Sequence, residues 1–231
     1  MYKYSIVLCL IPAFLGAQEI KTNFWDQTAL FAEASIYRHT RFEDNIFTEG
    51  EIGVGFFTST WVSPEISLAY TLGSIHQEAY ANEFQLENFP VAILETQFDT
   101  FTIAIGTKFS FFKRDERIWW TFLPKFHYGS NRLQSGYNEL DDSAAFYRLI
   151  EFQENSKNIR YFSFGLGIEG YITESEKFSL GFAIKYTTLS INDQLQNIEF
   201  STPNISVANT NTQTLGVALK FYFFPFKKEA L

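Results

Sequence analysis

The sequence predicts an all-β chain: an antiparallel up-and-down barrel that crosses a membrane with its oily face outward. Three observations predict it. Short segments of apolar/polar alternation recur from Thr28 to Phe226, and alternate residues of a strand point to opposite faces. The connections between these segments alternate short and long. The face opposite the oily one consists of Gly, Ala and Ser with isolated charges, a composition that suits a narrow interior better than a solvated surface.

Eight segments carry the pattern: 28–37, 49–58, 62–74, 98–112, 117–129, 159–172, 177–187 and 213–226. Phe and Tyr, with 27 and 12 copies, favour strands. Short connections fall at 59–61, 113–116 and 173–176, and long polar ones at 38–48, 75–97, 130–158 and 188–212. Tight turns on one rim and longer loops on the other are the signature of a membrane barrel. An even strand count puts both termini on the periplasmic side. Val91–Leu94 either extends the fourth strand or forms a separate one, so ten strands is the alternative to eight.

The face assignment follows from parity. The apolar set reads Ile52, Val54 and Phe56 in the second strand, and Ile66, Leu68, Tyr70 and Leu72 in the third. In the fourth it reads Phe101, Ile103, Ile105, Phe109 and Phe111, broken by Thr107. A soluble barrel would turn this set inward and clothe the other face in Lys, Glu and Thr. Glycine there would weaken strands and pack nothing. An eight-stranded barrel, whose interior is only just wide enough for side chains, gives small residues a purpose. The alternative is a half-solvated sheet with its polar face in water.

The inward parity carries Glu33, Glu51, Glu65 and Glu169 against Lys108, Lys125, Lys185 and Lys220. Buried charges must be paired and hydrogen-bonded, so these eight are expected to form salt bridges that plug the lumen. Glu65 is the first choice for Lys108, and Glu33 and Lys220 should meet where the first and last strands close. Trp61, Trp119 and Trp120 lie beside short turns, and Tyr70, Tyr128 and Tyr161 lie toward the long loops. All six are expected in the two interfacial girdles.

Length and charge narrow the rest. The 231 residues show no linker and no shift of composition, so one domain over 18–231 is expected after a signal peptide at 1–17. That peptide has a basic start, an apolar core from Ser5 to Leu15 and small residues before Gln18. Cys9 would leave with it, so the mature chain would have no disulfide and no thiol nucleophile. A net charge of −8 without a Lys/Arg cluster argues against nucleic acid as a partner.

The alternation, loop rhythm and charged small-residue face together resemble the small eight-stranded outer-membrane β-barrel family, of the OmpA transmembrane-domain and OmpX type. The phenylalanine-rich, acidic-loop character is similar to barrels of the Bacteroidetes. The resemblance covers about residues 28–226 and implies the cell outer membrane. Its partners would be outer-membrane lipid and an extracellular or periplasmic protein. Family members often finish on an aromatic residue, whereas here Phe226 is followed by Lys227 to Leu231.

One segment carries chemistry. Phe126-His127-Tyr128-Gly129-Ser130-Asn131, with Glu139 downstream, resembles the His-x-Ser-Asn motif of lipid A deacylases with one residue too many. The chemistry would use Ser130 as nucleophile, His127 as base and Glu139 to orient the imidazole. In a regular strand, however, His127 and Ser130 point to opposite faces. Glu139, Asp141 and Asp142 read as solvated acids rather than a metal site, and no motif implies a cofactor. The expectation is a non-enzymatic outer-membrane barrel with a plugged, charged lumen and long acidic loops, structural or interactive in role. A lipid A deacylase and an accessory barrel of a secretion or assembly system are the alternatives.

Overall fold

The computed structural model describes residues 24–38, 46–58, 61–79, 90–111, 117–141, 146–198, 200–201 and 214–227. The signal-peptide expectation for 1–17 lies outside them. So do Asp142 and most of the residues between strands on the long-loop rim.

Eight strands form one closed barrel. They are β1 (Ala29–Arg38), β2 (Ile46–Gly55), β3 (Val62–Ala79), β4 (Ala92–Phe111), β5 (Ile118–Asp141), β6 (Phe146–Tyr171), β7 (Phe178–Thr187) and β8 (Thr214–Phe223). Each pairs antiparallel with its neighbour, and β1 closes on β8 with Glu33 opposite Lys220. Ring closure leaves no unpaired edge at the level of the short strands, which is what a strand bundle in hydrocarbon requires. The ten-strand alternative is excluded, because Ala92–Leu94 simply continue β4.

β1, β2, β7 and β8 have 10 residues each, close to the ~9–11 residues of a tilted bilayer-spanning strand. β3 to β6 run to 18, 20, 24 and 26 residues and stand well above that level. The expected long connection at 130–158 is therefore corrected. β5 and β6 stay paired from Gly129↔Ile159 to Asp141↔Phe146, with one bulge at Tyr137/Asn138. On β5 the outward parity turns polar at Arg132 and Gln134 while the hydrogen-bonded ladder continues, whereas the paired part of β6 keeps Leu149, Ile150 and Phe152 exposed.

Outward side chains alternate with inward ones around the ring. Ile52, Ile105 and Ile184 are 62 %, 59 % and 58 % exposed, each on a different strand of one continuous apolar belt. Soluble monomers rarely show so large an oily surface. Trp61 and Trp120 point outward at the short-turn rim, and Tyr70 and Tyr128 at the other. Trp119 and Tyr161 do not join these girdles. They share parity with Lys125 and Ser163, so Trp119 turns inward onto Tyr171 with ring centroids 5.0 Å apart, and Tyr161 is buried. Thr107, the break in the oily face, lies opposite Pro64. On its other side the β4–β5 register lapses between Gly106↔Lys125 and Phe109↔Phe122, beside Pro124. Both flanking prolines lack the N–H a ladder needs.

Two apolar clusters fill the barrel's ends. At the short-turn rim Ala29, Phe31, Tyr222 and Phe224 pack together with Tyr171. At the other, the segment after β7 folds inward over the mouth. It contains a single helical turn, α1 (Asn192–Leu195). Leu189, Ile191, Leu195 and Ile198 bury against Tyr37, Phe47, Ile75, Phe98, Leu133 and Tyr161. Gln194 ties this cap to β5: its amide oxygen accepts from Asn131 Nδ2 at 2.5 Å, and its Nε2 donates to the Asn131 carbonyl at 3.3 Å.

The charged lumen as candidate functional site

Between the two clusters, strand parity delivers all eight expected charged residues to the interior, where each is buried. Small residues make the room. A Cβ on Gly53 would lie 2.7 Å from the Phe31 ring, so glycine there admits the aromatic side chain that floors the network.

The contacts cross the lumen rather than following neighbouring strands. Lys108 donates to Glu169 Oε2 at 2.8 Å, and Ser179 donates to the other oxygen at 2.8 Å. The expected Lys108–Glu65 pair is thus corrected. Lys108 stands opposite Ser63 and lies 4.0 Å over the Tyr222 ring, while Glu65 is taken elsewhere. Glu65 accepts from Lys220 and from the Tyr222 hydroxyl, each at 2.6 Å. Lys220 also lies 3.7 Å from Glu33 Oε2, its cross-strand partner.

Lys125 sits at the centre. It donates to Glu51 and stands 3.5 Å from Glu65 and 3.9 Å from Glu33. Ser67 donates to the same Glu51 oxygen at 2.5 Å. Lys185 donates to Glu33 at 2.5 Å, to Glu49 at 2.8 Å and to Ser35 at 3.2 Å.

Glu49 was absent from the sequence reading. It shares the parity of Glu51, and that signal suffices to find it. Its carboxylate also accepts from Tyr37 at 3.1 Å, Thr71 at 3.3 Å and Tyr161 at 3.4 Å. The expected four-to-four balance therefore becomes five buried carboxylates to four buried lysines among the described residues. Glu33, Glu49 and Glu51 bring carboxylate oxygens within 4.8 Å of one another. Lys185 and Lys125 already occupy that space, so the donor set suits ammonium groups rather than a metal ion.

The three deacylase candidates do not meet. His127 is fully buried, with Nε2 2.8 Å from Ser163 Oγ, Nδ1 3.4 Å from Thr102 Oγ1, and its ring stacked on Tyr161 at 4.3 Å. Ser130 is exposed on the outer face. Glu139 accepts from Tyr137 at 2.6 Å in the projecting hairpin, twelve residues or about 40 Å along the strand from His127.

A closed, even-stranded antiparallel barrel with an apolar outer belt, aromatic girdles and a charged interior is the outer-membrane architecture. The chain is an outer-membrane β-barrel. In barrels of this architecture the tight-turn rim faces the periplasm and the longer side the exterior. Solved structures similar in shape include Neisserial surface protein A, at 10 % identity and a TM-score of 0.47, covering 85 % of this chain and 96 % of that one. Ail of Yersinia pestis, in complex with the heparin analogue sucrose octasulfate, gives 8 % and 0.37, covering 85 % and 94 %. The N-terminal barrel of Pseudomonas aeruginosa OprF gives 12 % and 0.33, covering 85 % and 97 %. At such values these are likenesses only, and the architecture rests on the strand pairing itself. No family model matches the chain, and no curated protein matches it.

Proposed function

We propose that the protein is a closed, non-conducting outer-membrane barrel whose role is structural or interactive, with its extracellular strands and acidic loops as the working surface. One observation carries this reading: the lysine–glutamate network lies between two apolar clusters, so the lumen is occupied along its length. The cavity left among Lys108, Lys125, Lys185 and Lys220 measures about 30 Å³. A water needs roughly 10–15 Å³ on this measure, so the space suits one or two waters and no solute.

In this reading the chain is not an enzyme, since the lumen admits no substrate to His127. Breaking a buried pair by removing one partner costs about 3–5 kcal/mol, which resists transient opening. Planar-bilayer recording on the refolded protein tests the proposal. Silence is expected across physiological voltages. A large, steady conductance in the intact chain contradicts it.

A further inference from the structure

Where β2 stops at Ile46, β3 continues upward beyond its last β2 pair, Phe47↔Gly73. The step between them opens a groove of about 270 Å³ on the outside of the barrel. Its lower lip is apolar, formed by Ile46 and Leu72. Its upper lip is polar, formed by Ser74, Gln97, Asp99 and Gln134. Phe98 closes the floor behind Gly73, where any side chain would strike its ring.

Three features fix the chemistry of an occupant. First, the groove sits one outward position above Tyr70 and Phe101, since Leu72 and Asp99 pair with each other and follow them on β3 and β4. It is continuous with the lipid-facing belt, and its polarity runs in the same sense as the bilayer interface. Second, among the described residues it offers acceptors and amides rather than a free cation. Arg132, the cross-strand neighbour of Asp99, turns to Glu154, with Nε to Oε1 at 2.8 Å and Nη2 to Oε2 at 3.0 Å. Among the described residues a phosphate would find no free cation there, whereas hydroxyls find Asp99, Gln97 and the amide oxygen of Gln134, whose Nε2 donates to Glu154 Oε2 at 3.2 Å. Third, the volume falls just under the ~300–1,000 Å³ of small-molecule sites, a size for one sugar ring.

The geometry points to a binding site for the uncharged, hydroxyl-bearing headgroup of an outer-leaflet glycolipid, seated in this groove with its chains along Ile46 and Leu72. The site goes beyond the closed-barrel role and uses none of the charged lumen residues.

The test uses the full mature chain in phosphatidylcholine nanodiscs doped with galactosyl diacylglycerol or, at equal level, with diacylglycerol lacking the sugar. Native mass spectrometry after mild delipidation reads the lipid retained. The galactolipid should be retained in preference. The double variant Gln97→Ala/Gln134→Ala should lower that retention roughly tenfold, the scale of one to two hydrogen bonds. A gel-mobility shift checks that the variant is folded, and Ser74→Trp, which fills the groove, should act likewise. Equal retention of the two lipids overturns the proposal, as does retention that ignores both variants. Free galactose competing as well as the galactolipid overturns it too, since the site would then take soluble sugar rather than membrane lipid. Bilayer silence is expected whichever result appears, so failure here is distinguishable from failure of the closed-barrel reading.

Discussion

The lower and upper halves of β5 follow opposite rules. From Ile118 to Tyr128, Trp120, Phe126 and Tyr128 point outward while Lys125 and His127 point inward. From Asn131 to Asp141, Arg132 and Gln134 point outward while Leu133 and Tyr137 are buried within. Strand, pairing and parity stay the same. Only the surrounding medium changes, lipid below and water above, and the apolar side chains move from the outer face to the inner. On β5 burial is therefore burial from the local solvent, and the crossover marks the membrane surface between Tyr128 and Arg132; the paired β6 keeps Leu149, Ile150 and Phe152 exposed above it.

The largest expected effect comes from breaking the lower half from within. Lys125→Met keeps the volume but leaves Glu51, Glu65 and Glu33 short of a cation. The expected loss is about 3–5 kcal/mol, read as a lowered urea midpoint of the folded band on unboiled gels. Next is the belt. Ile105→Arg places a cation near mid-bilayer and should cost ~2–4 kcal/mol, whereas Gln134→Arg on the same outer surface above the membrane should stay within about 0.5 kcal/mol. Equal effects at the two sites would erase the contrast.

A smaller change belongs to the cap. Ile191→Val removes one buried methyl and should cost about 0.5–1.5 kcal/mol. Hydrogen exchange should show it as faster opening of 188–198, with the lower ladder unchanged. The smallest effect is one of pH. Burial, and then the Glu139 carboxylate accepting its proton, push the Tyr137 phenol up to about 12. A raised value means that stability is fully present below the ordinary tyrosine range of ~10 and is lost as pH climbs through 12. Phenolate absorbance should show a late-titrating tyrosine that Tyr137→Phe removes.

Much of the lower half was legible because lipid demands an unbroken oily parity, which β7 and β8 display over their whole length and β3 and β6 over 66–72 and 162–168. Lumen membership of Lys108 or Glu169 follows from parity alone. Partner choice does not, because a side chain crossing the lumen answers to strands several places away; hence Lys108 reaches Glu169 rather than Glu65. Glu49 was missed by starting the second strand on that residue. The upper half of β5 was missed because Leu133 and Tyr137 carry on the parity of Lys125, so its apolar signal changes sides; that of β6 was missed because Arg160, Asn158, Ser156 and Glu154 make its outward parity polar and read as a loop. The acidic character of the extracellular connections concerns residues outside those described.

The inversion is tested most directly by spin-label accessibility along β5, using single cysteines at Phe126, Tyr128, Leu133 and Gln134 of the barrel in bilayers. Labels at Phe126 and Tyr128 should collide with oxygen dissolved in lipid, and a label at Gln134 with a water-soluble nickel chelate. A label at Leu133, on the inner face, should be shielded from both. Nickel access at Phe126, or oxygen access at Gln134, contradicts the account.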